Sequence, residues 1–390
     1  MTAQTCERVR AYLDAHTGEM IRLLESLTRA ESPSSDAAAQ LPVKAILTEE
    51  LEQLGFRVRA PRGSSTGGSL FARPRQRERH KDLQLLLGHF DTVWPVGTIE
   101  AMPFEVDGNV VRGPGVFDMK GGVVQIILAL RAVRDLGLNM AVTPIVFLNS
   151  DEEIGSRESG RYVRSLARRV ERAFVMEPAL GIDGAIKTAR KGVGRFTVRV
   201  TGKAAHAGLD PGSGASAILE LSHVIQRLFA LNDPARGISV NVGTIDGGIR
   251  PNVIAPQSKA VIDVRVATQA DAERIEASIR AIEPTTDGVS LQIEGRIGRP
   301  PLEPTPANQA LWQRASSIAD TLGIRLTQGL AGGGSDGSTT SQFTATLDGL
   351  GPVGDGAHAE HEHLLIDKTM ERTALLALLI ISPALEEVPA

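Results

Sequence analysis

The chain has 390 residues, 42% of them hydrophobic and 23% charged. That is enough apolar material for a substantial core, which excludes a chain disordered along most of its length; at roughly 100–200 residues per domain it argues for two domains, or three. Lys and Arg number 42 against 46 Asp and Glu, a formal net charge of −4, so no global field draws the protein to nucleic acid or to an anionic membrane, and neither is expected as a partner.

Residues 3–30 and 37–54 read as amphipathic helices. In the second, Leu41, Val43, Ile46, Leu51 and Leu54 recur at roughly helical spacing. ESPSSD between them supplies a turn with capping residues. No basic start followed by an apolar core opens the chain, so no secretory signal is read there. Short apolar stretches follow at FRVRAP, SLFARP and LQLLLGHF. The last is continuous, as in a strand buried on both faces. Residues 119–137 read as a helix ending at Gly137, TPIVFLNS as a buried strand, GRYVRSLARRV as a helix and RAFVMEP as a strand. Strands alternating with helices predict an α/β layer with a mostly parallel sheet.

Near residue 187 the pattern changes. RFTVRVTG alternates with period two, a strand with one wet face. A helix (GASAILELSHVIQRLFAL), two strands (ISVNVGTIDGG and KAVIDVRVA), a helix (DAERIEASIRAIE) and a strand (VSLQIEGR) complete a β-α-β-β-α-β unit. After the proline-rich GRPPLEPTP the α/β pattern resumes with a helix over 307–322, the loop AGGGSDGSTT, the strand TATLDGLG and a helix from 367. The apolar run ALLALLIISPAL in that helix is too short to cross a bilayer. The expected organisation is therefore one domain of 1–186 plus 298–390, interrupted by a second of 187–297.

One cysteine, Cys6, allows no intrachain disulfide and no site built on several thiolates. A metal would have to be held by His, Asp and Glu, and a cytoplasmic location is expected. His89 and Asp91 sit in GHFDTV where the strand LQLLLGH runs out. In open α/β sheets ligands gather at such carboxyl ends. Residues i and i+2 of an extended chain point the same way, so Asp91 can orient an imidazole whose other nitrogen binds a metal. Taken alone, such a pair is more often a plain structural hydrogen bond. Asp118, in GPGVFDMKGG, reads as a ligand or as a helix N-cap. Glu152 and Glu153 follow TPIVFLNS, and their mutual repulsion calls for cations or protons nearby. Glu177 ends the strand AFVMEP, and His358 lies in the loop GAHAEHEHL. His361 and His363 beside it are not assigned to a metal, and His16, His80 and His223 are given no chemical role. Taken together, two imidazoles and three carboxylates can bind two divalent cations, zinc above all, with cobalt or manganese possible. A spare glutamate beside a ligand suits a proton acceptor for an attacking water.

The motifs GHFDTV, GPGVFDMKGG, NSDEEIGS, FVMEPA, TGKAAHAG, RPNVIA, DVRV, GGGSDGS and GAHAEHEHL, in this order, resemble those of the dinuclear zinc peptidases that include glutamate carboxypeptidase, aminoacylase, acetylornithine deacetylase and succinyl-diaminopimelate desuccinylase. The resemblance implies a catalytic α/β domain interrupted by a ferredoxin-like dimerisation domain, in a homodimer. It implies that His89 and Glu177 bind one zinc, Glu153 and His358 the other, and Asp118 bridges them. Asp91 would orient His89, and Glu152 would be the general base. His206, in GKAAHAG, would reach the partner subunit's active site and steady the oxyanion. Asn252, Arg265 and Arg299 match positions that contact a substrate carboxylate, and Gly334 lies in a loop that lines the substrate pocket. That loop lacks the Lys-Ser/Thr of a phosphate cradle. Glu177 suits carboxypeptidases and deacylases, and GVFDMKGG, RKG and GGGSDGS lean towards glutamate carboxypeptidase. The expected activity is release of a C-terminal amino acid from an N-acyl or peptidyl amide. A narrow N-acyl-amino-acid deacylase is the alternative. A non-catalytic metal-binding scaffold is a third reading, against which Glu152 speaks, because a scaffold needs no base.

Overall fold

The computed structural model describes residues 2–385. Residue 1 and residues 386–390, counted above with the first domain, lie outside the described residues. The chain divides into two compact units, Met1–Ala189 with Pro304–Ala331 and Ser335–Ala390, and Arg190–Glu303 with Gly332–Gly334.

The first unit contributes strands β1 (Phe56–Arg59), β2 (Leu70–Pro74), β3 (Leu83–His89), β4 (Glu105–Asp107), β5 (Val110–Arg112), β6 (Thr143–Asn149), β7 (Arg172–Val175) and β8 (Ile186–Arg190). The second contributes β9 (Gly192–Thr201), β10 (Ser239–Gly247), β11 (Gln257–Val266) and β12 (Ser290–Arg299). The chain returns through β13 (Gln328–Ala331), β14 (Ala345–Asp348), β15 (Gly354–Asp355) and β16 (His363–Leu365).

In the first unit an eight-stranded sheet runs β1-β2-β6-β3-β7-β14-β8-β13. Its inner four strands, β6, β3, β7 and β14, are parallel. The continuous apolar runs of β3 and β6 are explained by burial on both faces. The register pairs His89 with Asn149 and Leu87 with Val175. The carboxyl ends of β3, β6 and β7 therefore finish side by side. Helices Gly121–Asp135 and Ile366–Ile381 are almost wholly buried against the sheet and each other. Close approach explains the last glycine of MKGG: a Cβ on Gly122 would collide with the Met176 carbonyl.

Several boundaries differ from the sequence reading. The helix expected over 3–30 is two helices, Ala3–Ala15 and Thr17–Arg29, broken at His16. Thr17 and Gly18, both poor helix formers, follow the break, and the His16 ring stacks on Tyr12 with centroids 3.9 Å apart. The next helix begins at Gln40 rather than 37, because Asp36 accepts from Ala38 N and Ala39 N in a turn. The helix expected from 119 begins at Gly121, since Val116–Lys120 forms a wide turn in which Asp118 and Met119 are not helical. The small sheet β15-β16-β5-β4 was not anticipated, as strands of two or three residues are too short to show a period. Among the described residues no helix is long and apolar enough to cross a membrane.

The second unit has the expected β-α-β-β-α-β order, with sheet order β10-β11-β9-β12, all antiparallel. This is the ferredoxin-like arrangement. Alternate residues of β9, among them Phe196, Val198 and Val200, pack with residues of helices Ala217–Phe229 and Gln269–Arg280. The unit spans 190–303 rather than 187–297. β8 continues to Arg190, and beyond β12 the chain pairs Leu302 with Arg190 through two backbone hydrogen bonds of 2.9 and 3.0 Å. Gly332–Gly334, placed above in the first domain, also belong to this unit.

Candidate metal centre

The carboxyl ends of β3, β6 and β7 carry His89, the Glu152–Glu153 loop and Glu177 to one place. The wide turn before helix Gly121–Asp135 adds Asp118, and the loop before β16 adds His358. His89 Nε2 stands 3.4 Å from Asp118 Oδ1 and 3.7 Å from Glu177 Oε1. His358 Nε2 stands 3.5 Å from Asp118 Oδ2 and 3.1 Å from Glu153 Oε2. Asp118 thus has one oxygen towards each imidazole. Oδ1 is buried and makes no hydrogen bond. Ligand atoms of His89, Asp118 and Glu153 lie within 4.8 Å of one another, as do those of His89, Glu152 and Glu177.

Asp91, fully buried, ties two of these elements together. Its Oδ1 accepts from Glu152 N and its Oδ2 from Glu153 N, both at 3.2 Å. His89 Nδ1 lies 3.0 Å from the Asp91 carbonyl oxygen and 3.4 Å from Oδ1. Donation from Nδ1 leaves the Nε2 lone pair facing Asp118 and Glu177, as metal-binding histidines require. Ser34 Oγ donates to Oδ2 at 2.6 Å.

The loop bearing Glu152 and Glu153 is braced by residues the sequence reading did not single out. Asp151 accepts from Glu158 N and Ser159 N. Buried Asp336 accepts from Asn149 Nδ2 and from Ser156 Oγ. The motif GGGSDGS therefore supports the loop after β6 as well. Its Ser335 caps the short helix Asp336–Thr340, and its aspartate holds the loop after β6. Gln40 Nε2 donates to Ser150 O at 2.9 Å. The turn ESPSSD and the serine-aspartate of GGGSDGS were the only sequence signals of this bracing.

The site's electrostatics are those of too many acids in too little water. Burial opposes a charge on His89, yet Asp118, Asp91 and Glu177 hold its pKa well above the ordinary imidazole range. The hydrogen bond to Glu153 raises His358 to about 9. Burial pushes Glu153 up, with Asp118 adding to the effect. Burial also disfavours charge on Asp118, but the two imidazoles bring it below its usual value. Protonated histidines here stand in for cations that the carboxylates demand. With nitrogen and oxygen donors only, and an orphaned buried oxygen on Asp118, the residues fit divalent metal.

The remaining predicted residues lie in the second unit. His206 is exposed, and its Nδ1 accepts from Gly208 N and Leu209 N, both at 3.1 Å. With Nδ1 an acceptor, Nε2 is the ring nitrogen that carries a proton. Asn252 is adjacent, its carbonyl accepting from Ala207 N. Arg265 makes a two-pronged ion pair with Asp263, at 2.8 and 3.1 Å, a partner the sequence reading did not weigh. Gly334 packs on Arg299 so closely that a Cβ would lie 3.0 Å from Arg299 Cδ.

The model of the Peptidase family M20/M25/M40 matches residues 85–382. The chain belongs to that family. Among curated relatives it is 28% identical to carboxypeptidase G2 of Pseudomonas sp. (strain RS-16), over 97% of this chain and 94% of that protein. It is also 28% identical to succinyl-diaminopimelate desuccinylase of Ectopseudomonas mendocina (strain ymp), over 71% of this chain and 77% of that one. The fold matches the crystal structure of aminopeptidase PepT from Bacillus cereus with a TM-score of 0.77 at 19% identity, covering 94% of this chain and 98% of that one. As an M20 protein the chain is a metal-dependent hydrolase of amide bonds.

Asp91→Asn tests the bracing. An asparagine offers one oxygen where two are used, so an amide NH2 must face Glu152 N or Glu153 N. The variant should keep its circular dichroism but bind zinc roughly 10–100-fold more weakly by isothermal titration, the usual cost of losing a residue that supports a ligand. Unchanged affinity would contradict the role given to Asp91.

Proposed function

We propose that the protein is a dinuclear metallo-exopeptidase that releases a C-terminal L-amino acid from an N-acyl or peptidyl amide. The observation that carries this is the placement of Asp118 between His89 and His358, with Glu177 on one flank and Glu153 on the other. His89 and Glu177 would hold one ion, Glu153 and His358 the second, and Asp118 would bridge. Zinc, or cobalt or manganese in its place, would polarise the scissile carbonyl and lower the pKa of the attacking water.

The proton of that water goes to Glu152 and from there to the leaving amine. Glu153 is the poorer candidate for base because both its oxygens face His358, at 3.1 and 3.3 Å. Glu152 lies beside His89 and Glu177. Asp91 holds the His89 tautomer and the backbone of both glutamates. Asn252, Arg265 and Arg299 would receive the substrate carboxylate, with Asp263 fixing the Arg265 fork and Gly334 leaving room beside Arg299. Similarity to carboxypeptidase G2 over almost the whole chain supports release of a C-terminal residue. Similarity to a desuccinylase favours a second reading, a narrow N-acyl deacylase.

A panel of dipeptides, N-acetyl and N-succinyl amino acids, assayed with zinc, separates the two. Carboxypeptidase action requires release of the C-terminal residue from dipeptides. Turnover of acetyl or succinyl amides alone favours the deacylase, and no turnover at all would overturn both. Glu152→Gln should retain metal and lose turnover by roughly 10²–10⁴-fold, whereas Glu153→Gln should lose metal. The reverse pattern would exchange the two roles.

We also propose that the second unit pairs with its copy and that His206 serves the partner's reaction. β10 is an edge strand, and Ile245 and Ile249 at its end are both 67% exposed. Such edges pair readily with a twofold copy. With Nδ1 held by Gly208 N and Leu209 N, Nε2 of His206 would be the donor to a developing oxyanion. Mixing Glu152→Gln with His206→Ala, each inactive alone, should restore activity, because a mixed dimer holds one site with both groups intact. No recovery after demonstrated subunit exchange would place His206 in its own chain's chemistry or outside it.

A further inference from the structure

We propose that Glu362 is the positioning residue for Asp118. Glu362 lies four residues after His358 in GAHAEHEHL and is 1% exposed. Its carboxylate points into the wide turn that carries Asp118. Oε1 accepts from Phe117 N and Asp118 N, both at 3.0 Å. Oε2 accepts from Gly115 N at 2.9 Å and from Trp94 Nε1 at 2.8 Å. Three backbone N–H groups of one non-helical turn are thereby gathered on a single side chain, and the last of them belongs to Asp118 itself.

Every contact is a donor directed at the carboxylate, two to each oxygen, so the lone pairs are filled and Glu362 is not itself a ligand. The turn's own backbone hydrogen bonds, Lys120 N to Gly115 O at 2.9 Å and Gly121 N to Val116 O, do not use the N–H groups of Gly115, Phe117 or Asp118, which need acceptors where they are buried. The same loop thus supplies His358, which faces Asp118 Oδ2, and the clamp that sets where Asp118 stands. Glutamine cannot replace it. Whichever way its amide turns, an NH2 meets two N–H donors. Aspartate keeps the charge but is one methylene short.

This inference rests on the dinuclear reading, and the test keeps the two apart. Cobalt is titrated into the full-length metal-free protein, following stoichiometry, affinity and the visible cobalt spectrum, which reports ligand geometry independently of turnover. The wild type should take up about two ions per chain, each near four-coordinate. Glu362→Gln should bind roughly 10–100-fold more weakly with an altered spectrum. Glu362→Asp, which retains the charge, should fall between the two. Glu360→Gln, an exposed charge loss in the same loop, should match the wild type. If the glutamine variant does not fold, the aspartate variant carries the test. Wild-type affinity and spectrum in the folded variant would overturn the positioning role while leaving the metal reading intact. A wild type that takes up no cobalt would overturn the metal reading and this one with it.

Discussion

The Asp91 carboxylate is the constraint on which the rest of the site depends. It is fully buried, takes the N–H groups of Glu152 and Glu153, and stands beside the Nδ1 of His89. Two strand ends are fixed to each other by one side chain. Without it, the imidazole could turn and the glutamate loop could shift relative to β3. Asp336 holds the same loop from the opposite side through Asn149 and Ser156. The proposed base and ligand therefore sit on a loop anchored at both shoulders, as a site that must hold its geometry to within a fraction of an ångström requires.

The second constraint is charge. Three carboxylates converge where water is scarce, and burial disfavours charge on Asp118 and Glu153. Protons on His89 and His358 relieve this, as the raised pKa values of both imidazoles show. Divalent metal relieves it more completely, and metal binding must then displace those protons. Parallel topology brings this about, because three strands running the same way deliver their following loops to one edge.

Much of this was legible in the chain itself. Residues 85–87 of β3 and 145–148 of β6 are all apolar because both faces are buried, and the polar residues that follow them, His89 and the Glu152–Glu153 pair, stand out for that reason. The second unit was readable because its strands alternate cleanly over ten residues. The break at His16 was not, since the apolar stripe continues across it with Leu13, Met20 and Leu24 all buried. Nor were the supporting residues. Ser34, Asp336 and Glu362 act on partners 57, 180 and 244 positions away, and the motifs that contain them do not show which partner each one reaches. Periodicity reports which face is buried, while long-range polar support is set only by the tertiary fold.

The central claim is that Asp118 lies between two metal ions. Crystals grown with zinc, measured by anomalous diffraction at the zinc edge, address it directly. Two anomalous peaks should appear, one contacted by His89 and Glu177, the other by Glu153 and His358, with Asp118 touching both. A single peak, or two peaks that do not share Asp118, would contradict the account.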